Sequence, residues 1–400
     1  MIALCAGCGG GGDSSNSTPT GGGPTPPSSS NVVDITVGPV VAGASRYTPN
    51  ILTVTLTLCS PGSTTNCQTI PNVQVDTMSY GLRLAYGAAS QFLGSLPQAL
   101  ASNGAPLAEC ATFADSMLWG SIRTADIQIG GKQATAVPIQ IAGDMPASSL
   151  PSACSNGLPQ QDTPAQLGSN GILGIGTSPT DCGQACLSAS KSHYYACTGA
   201  NCVATGVALA QQVTNPVTKF ATDNNGVIVR LPSVPPTGQA LVTGQLYFGI
   251  GTQSNNALNA ARKLPTNPFG DLSGTVGGNA ISLAFLDSGS NAYFFGDIFQ
   301  PALPVCDNNT IAPGFYCPPS DRSLSATLIG SGNTSAPITV TVTNATSLDF
   351  ANNHAFDNLG GSISINNMLD IGLPFFYGRT VYYGYPSSTG SGASSPYVAF

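Results

Sequence analysis

ISLAFLDSGSNAYFFGD (281–297) and NVQVDTMSYGLRL (72–84) are built alike: an apolar stretch with strand character, an aspartate, a small hydroxyl residue and then a turn. A single Asp-Ser or Asp-Thr ordinarily makes an Asx turn or caps a helix. Two copies in matching frames, one in each half of the chain, point instead to Asp76 and Asp287 as a facing pair. Two carboxylates held face to face cannot both ionise easily, so they share a proton and act as base and acid around one water.

The residues around each aspartate fit that chemistry. A glycine after Asp-Ser lets the backbone turn tightly and aim N–H groups at the carboxylate, which Asp287-Ser288-Gly289-Ser290 satisfies in full. Ser79 and Ser290, three residues past each aspartate, are placed to hydrogen-bond the outer carboxylate oxygens, and Thr77 and Ser288 are further supporting residues. In the first copy Met78 stands where the second has Gly289. That substitution predicts either a different loop conformation or a side chain forced into a tight place.

The rest of the chain narrows the possibilities. Its 400 residues suffice for two or three domains or one large bilobal unit. Only 7% of them are charged, against about 25% in an average soluble protein, so neutral polar residues hydrate the surface and few groups titrate on acidification. Eleven Lys and Arg without a basic cluster, and a net charge of -7, exclude a nucleic-acid partner. Short runs rich in Val, Ile, Thr, Tyr and Phe alternate with turn residues, which predicts a mostly β protein with few, short helices. The clearest strands are 50–58, 124–131, 242–251, 337–346 and 378–385.

Other chemistries find less support. His193 and His354 are the only histidines and no acidic cluster accompanies them, so no metal site is expected. A Gly-x-Ser-x-Gly elbow is lacking, which argues against a serine hydrolase. Trp119, Phe375, Phe376 and Tyr377 read as core.

Twelve cysteines occur. Apart from Cys5 and Cys8, an even set remains that suits disulfides: Cys59, Cys67, Cys110, Cys154, Cys182, Cys186, Cys197, Cys202, Cys306 and Cys317. Cys59 with Cys67 and Cys306 with Cys317 bracket short loops, each closure worth roughly 2 to 3 kcal/mol. Cys182, Cys186, Cys197 and Cys202 read as a disulfide-stapled insertion, with a four-thiolate zinc site as the alternative.

Taken together, these motifs resemble the pepsin-like aspartic peptidases. In that family each lobe carries an apolar strand ending in Asp-Thr/Ser-Gly-Thr/Ser, with a later apolar-apolar-Gly strand threaded beside it. Here Ile172-Leu173-Gly174 and the stretch with Gly372 supply the second part, and 113–131 is similar to the flap hairpin, with Phe113 at the place of the flap tyrosine. The resemblance spans about residues 32 to 400 and implies a bilobal pepsin-like aspartic protease fold with a cleft between two β lobes. It implies an endopeptidase acting on an extended polypeptide through Asp76, Asp287 and an activated water, without cofactor or metal. The alternative is an inactive pepsin-like module that binds a protein or a glycan.

The chain also resembles uncharacterised secreted lipoproteins of Gram-negative bacteria. Residues 1–8 look like the end of a truncated lipoprotein signal with Cys8 as lipid attachment site, and 9–31 are a Gly/Ser/Thr/Pro tether. The expected divisions are then 32–206 for an N-terminal β lobe, with a Cys-rich insertion at about 177–206, and 207–400 for a C-terminal β lobe. The resemblance implies an exported monomer at the outer membrane or cell surface, touching the membrane only through its N-terminal lipid.

Overall fold

The computed structural model describes residues 31–44, 49–155, 157–386 and 394–400. Cys8, with the signal-like segment and nearly all of the tether, lies outside the described residues.

The strands follow from side-chain alternation. Ser335–Val342 exposes and buries residues in strict turn, and Leu52–Cys59 buries Leu52, Val54, Leu56 and Leu58 on one face. The longest described helix is the six-residue Ser90–Ser95. One sheet has 15 strands among the described residues and the other 7. The chain is therefore mostly β, as expected, built on two sheets with one Asp turn from each meeting between them.

The first sheet joins distant parts of the chain. Val32–Val37 lies antiparallel to Val242–Phe248 in a register running from Val32 opposite Tyr247 to Val37 opposite Val242. Gly226–Arg230 and Thr380–Gly384 extend the same sheet, so strands beyond residue 207 continue the sheet that holds the first aspartate. The second sheet carries the other aspartate at the end of Asn279–Asp287.

Both aspartates are set by one local topology. Cys67–Asp76 runs parallel to Gly171–Ile175 with Asp76 opposite Gly174, and Tyr80–Ala85 returns antiparallel on the far side of that glycine strand. Asn279–Asp287 runs parallel to Met368–Gly372 with Asp287 opposite Gly372, and Tyr293–Phe295 returns antiparallel in the same way. Each glycine is required by close approach. A Cβ on Gly174 would lie 2.4 Å from the Tyr80 nitrogen, and one on Gly372 would lie 2.1 Å from the Ala292 carbonyl oxygen.

Five disulfides close among the described residues. Cys59–Cys67 and Cys306–Cys317 pair as expected. Cys182–Cys186 and Cys197–Cys202 are bonded locally, which consumes the four sulfurs of the zinc alternative, and Cys110–Cys154 ties the hairpin strand to a short helix. Trp119, Phe375, Phe376 and Tyr377 are buried core residues.

Candidate active site

The two Asp turns interlock. The Ser288 backbone N–H donates to Thr77 Oγ1 (2.9 Å), and the Ser288 hydroxyl donates across to the Val75 carbonyl (2.8 Å). Thr77 Oγ1 in turn lies 3.1 Å from the Tyr383 hydroxyl, which donates to the Leu286 carbonyl (2.8 Å). Thr77 and Ser288 are fully buried, so these bonds form away from competing water. Gln74 adds a further bond between the halves, its side-chain amide donating to the Gly289 carbonyl (2.8 Å).

This interlock brings the carboxylates together. The position a Cβ would take on Gly289 lies 2.9 Å from Asp76 Oδ1 and 3.0 Å from Asp287 Oδ1, so both inner oxygens converge on one point that only a glycine leaves open. Asp76 Oδ1 accepts the Met78 and Ser79 backbone N–H groups (2.8 and 3.0 Å), and Asp287 Oδ1 accepts the Gly289 N–H (2.7 Å). Asp287, Gly289 and Ser290 keep partial exposure beside the fully buried Ser288, so the site opens to solvent on one side.

Electrostatics follow from this placement. Burial, then the Asp76 charge and Asp370, push the Asp287 carboxyl well above the usual carboxylate range, against the pull of the Gly289 N–H and the Ser290 hydroxyl. The arrangement sets two carboxylates, one of them raised toward its protonated form, around one open position.

Met78 neither twists the turn nor enters a tight place. Its N–H does what the Gly289 N–H does in the other half, its φ is not in the positive region, and its side chain leads toward Gly270. A Cβ on Gly270 would stand 3.3 Å from Met78 Sδ, so the room for Met78 comes from a glycine almost two hundred residues away. The same loop is held by Tyr80, whose hydroxyl donates to the Phe269 carbonyl (2.5 Å), and by Thr177, whose hydroxyl donates to the Pro268 carbonyl (3.1 Å).

Ser79 departs from expectation. Its hydroxyl is buried without a hydrogen-bond partner, whereas Ser290 Oγ sits 2.9 Å from Asp287 Oδ2. The two serines differ because their surroundings differ. Ser290 also lies 2.5 Å from Asp370 Oδ2, and the residue matching Asp370 in the first half is Ile172: Asp370 is opposite Phe285 and Ile172 is opposite Gln74, each two residues before its aspartate. Phe113 sits in the turn between Leu107–Thr112 and Met117–Ile129, its N–H donating to the Ser116 carbonyl (2.8 Å). Its half-buried ring rests against Ala111, Leu118, Ala142 and Ile172.

Three groups of residues went unforeseen. Asp370 is one, detectable as a lone charge inside the apolar strand MLDIG. Gln74 and Tyr383 are others, and nothing in their local sequence sets them apart. The third is a buried ion cluster behind the first Asp turn. There Arg83 donates to Glu109 Oε1 (2.7 Å), Asp181 Oδ2 (3.1 Å) and the Tyr80 carbonyl (2.7 Å), while His193 Nε2 lies 3.1 Å from Asp181 Oδ2. Burial would raise the Asp181 carboxyl, but His193, Glu109 and Arg83 together bring it down to about 2.

Among solved structures the chain is similar to the aspartic proteinase from Irpex lacteus, with 16% sequence identity, a TM-score of 0.49, and coverage of 92% of this chain and 96% of that one. No curated protein sequence matches it. A family model described as "Protein of unknown function (DUF3443)" matches residues 27–400, and the chain belongs to that family.

Proposed function

We propose that the protein is an aspartic-type endopeptidase in which Asp76 and Asp287 hydrolyse a peptide bond through one activated water. The observation that carries this reading is the convergence of Asp76 Oδ1 and Asp287 Oδ1 on the open position beside Gly289. Asp287, its carboxyl pushed up by desolvation and the neighbouring Asp76 charge, retains the proton, and Asp76 serves as base. As the water oxygen bonds to the peptide carbon, its proton passes to Asp76 and the Asp287 proton passes to the carbonyl oxygen. The resulting diol collapses when the proton on Asp76 is delivered to the departing nitrogen, the C–N bond breaks, and one diol hydroxyl returns its proton to Asp287, leaving the carboxylic acid product and the pair as it began.

The substrate that suits the site is an extended polypeptide, since the partly exposed residues Met78, Asp287, Gly289 and Ser290 form an open rim rather than a closed chamber. Five disulfides support an exported, oxidising setting.

The test is cleavage of an unfolded protein substrate across pH 3 to 7 by the full chain and by Asp76→Asn and Asp287→Asn. Wild type should cleave at acid pH, and each variant should fall to background while unfolding at a temperature near that of wild type. Equal cleavage by all three would assign the activity to a contaminant, and a folded but silent wild type would remove the peptidase reading.

A further inference from the structure

We infer that Asp370 is a positioning residue for the Asp287 proton: a buried carboxylic acid that holds a reserve proton and passes it through the Ser290 hydroxyl to Asp287 Oδ2. The inference rests on the peptidase reading for its effect on turnover, but not for the proton itself.

Hydrogen-bond valence carries the argument. Ser290 Oγ lies 2.9 Å from Asp287 Oδ2 and 2.5 Å from Asp370 Oδ2, yet a serine hydroxyl has one proton to give. With both carboxylates ionised, one of these short contacts would set two lone pairs against each other. One carboxyl must therefore donate to Ser290 while Ser290 donates to the other. If Asp370 O–H donates to Ser290 Oγ, then Ser290 O–H points at Asp287 Oδ2. Transfer breaks the Asp370 O–H bond and forms a new O–H bond on Ser290, whose original proton moves to Asp287. The serine is unchanged, Asp370 is left as the anion and Asp287 as the acid.

The surroundings favour a proton on Asp370. Its Oδ1 is buried with no partner, a position that suits a neutral acid better than a carboxylate. The titratable groups around it are Asp76 at the end of its strand, Asp287 on the neighbouring parallel strand, and Tyr383; the flanking strand Tyr293–Phe295 places Phe294 beside it. None of these is a cation. Burial, reinforced by the Asp76 charge, holds the Asp370 carboxyl well above the usual range, although the Ser290 hydroxyl draws it down. The first half builds the same strand with Ile172, so the topology does not need an acid here.

A reserve proton has a definite kinetic consequence. When the site loses a proton on raising the pH, Asp370 can be the group that ends up ionised while Asp287 stays protonated, so the working form of the pair persists to higher pH.

Asp370→Asn tests this, because its amide can donate to Ser290 and preserve the geometry while having no proton to pass on. The alkaline limb of the kcat/KM profile should move down by about one pH unit, with the acid limb in place. Ser290→Ala, which cuts the connection and leaves the acid, should move the same limb the same way. An Asp370→Asn profile that superimposes on wild type overturns the relay.

A second readout needs no substrate. A folded acid held above its unfolded value of about 3.9 keeps a proton that the unfolded chain releases, so stability falls as pH rises above about 4 toward the folded value. Wild type should therefore take up more protons on folding between pH 4 and 7 than Asp370→Asn does, by up to one. Equal uptake would show that Asp370 holds no such proton, whether or not the protein cleaves anything. A difference in uptake from a protein that cleaves nothing would uphold the proton on Asp370 and sink the peptidase reading alone.

Discussion

Thr77→Val removes the hydroxyl at the centre of the interlock while keeping nearly the same shape, so it isolates hydrogen bonding from cavity formation. Two things change. The Ser288 N–H, wholly buried, loses its acceptor at 2.9 Å, and Thr77 no longer reaches Tyr383, which keeps its own bond to the Leu286 carbonyl. An unsatisfied buried donor costs about 1–3 kcal/mol, and that orphaned N–H dominates. The expected loss is therefore about 1–3 kcal/mol, measured as a lower denaturation midpoint at unchanged m-value, together with faster exchange of the Ser288 amide. Thr77→Ser keeps the acceptor and drops one methyl, so it should lose no more than about 0.8 kcal/mol and leave that amide protected. If Thr77→Val stays within about 0.5 kcal/mol of wild type with the amide still protected, the interlock does not hold the two turns together.

Two further outcomes follow from the surroundings of the pair. Arg83→Met leaves Glu109 and Asp181 buried without their guanidinium and should cost about 3–5 kcal/mol at neutral pH. Because the Asp181 carboxyl is depressed to about 2, its stabilising contribution is complete above about pH 4 and disappears as pH falls through 2, so the gap between variant and wild type should narrow over that window. Met78→Gly should lower stability by about 1 kcal/mol through added freedom in the unfolded chain and should leave cleavage nearly unchanged, since no strain is relieved at a residue whose N–H already serves Asp76. A several-fold rise in kcat/KM in that variant would show instead that the Met78 side chain obstructs substrate.

What the sequence discloses is what local pattern encodes. Strand, Asp, hydroxyl and turn are contiguous in both halves, and each glycine strand is a recognisable apolar run, so Asp76 with Gly174 and Asp287 with Gly372 can be matched before any coordinates exist. Cys59 and Cys67 bracket a turn short enough to pair them. Arg83, Glu109, Asp181 and His193 form one cluster from four separate segments, and no spacing rule links them. Met78 looks disruptive from sequence alone because the glycine that makes room for it, Gly270, belongs to the other half. Ser79 looks equivalent to Ser290 because the deciding neighbours, Ile172 and Asp370, lie about ninety and eighty residues further along.

The two halves thus share a backbone frame but not a polar environment. On the Asp76 side the inner oxygen accepts two backbone N–H groups, the nearby serine hydroxyl has no partner, and the adjacent strand contributes Ile172. On the Asp287 side one backbone N–H reaches the inner oxygen, while the outer oxygen meets a serine tied to a second buried carboxyl. Fixed backbone donors favour a charge that stays in place; a rotatable hydroxyl between two carboxyls favours a proton that can move. A duplicated frame with identical surroundings would leave the choice of base and acid undetermined. Under the proposed reading, Asp370, at the position matching Ile172, adds to the burial and the Asp76 charge that already raise the Asp287 carboxyl, and the alkaline limb of the pair's pH profile is where its contribution should be read.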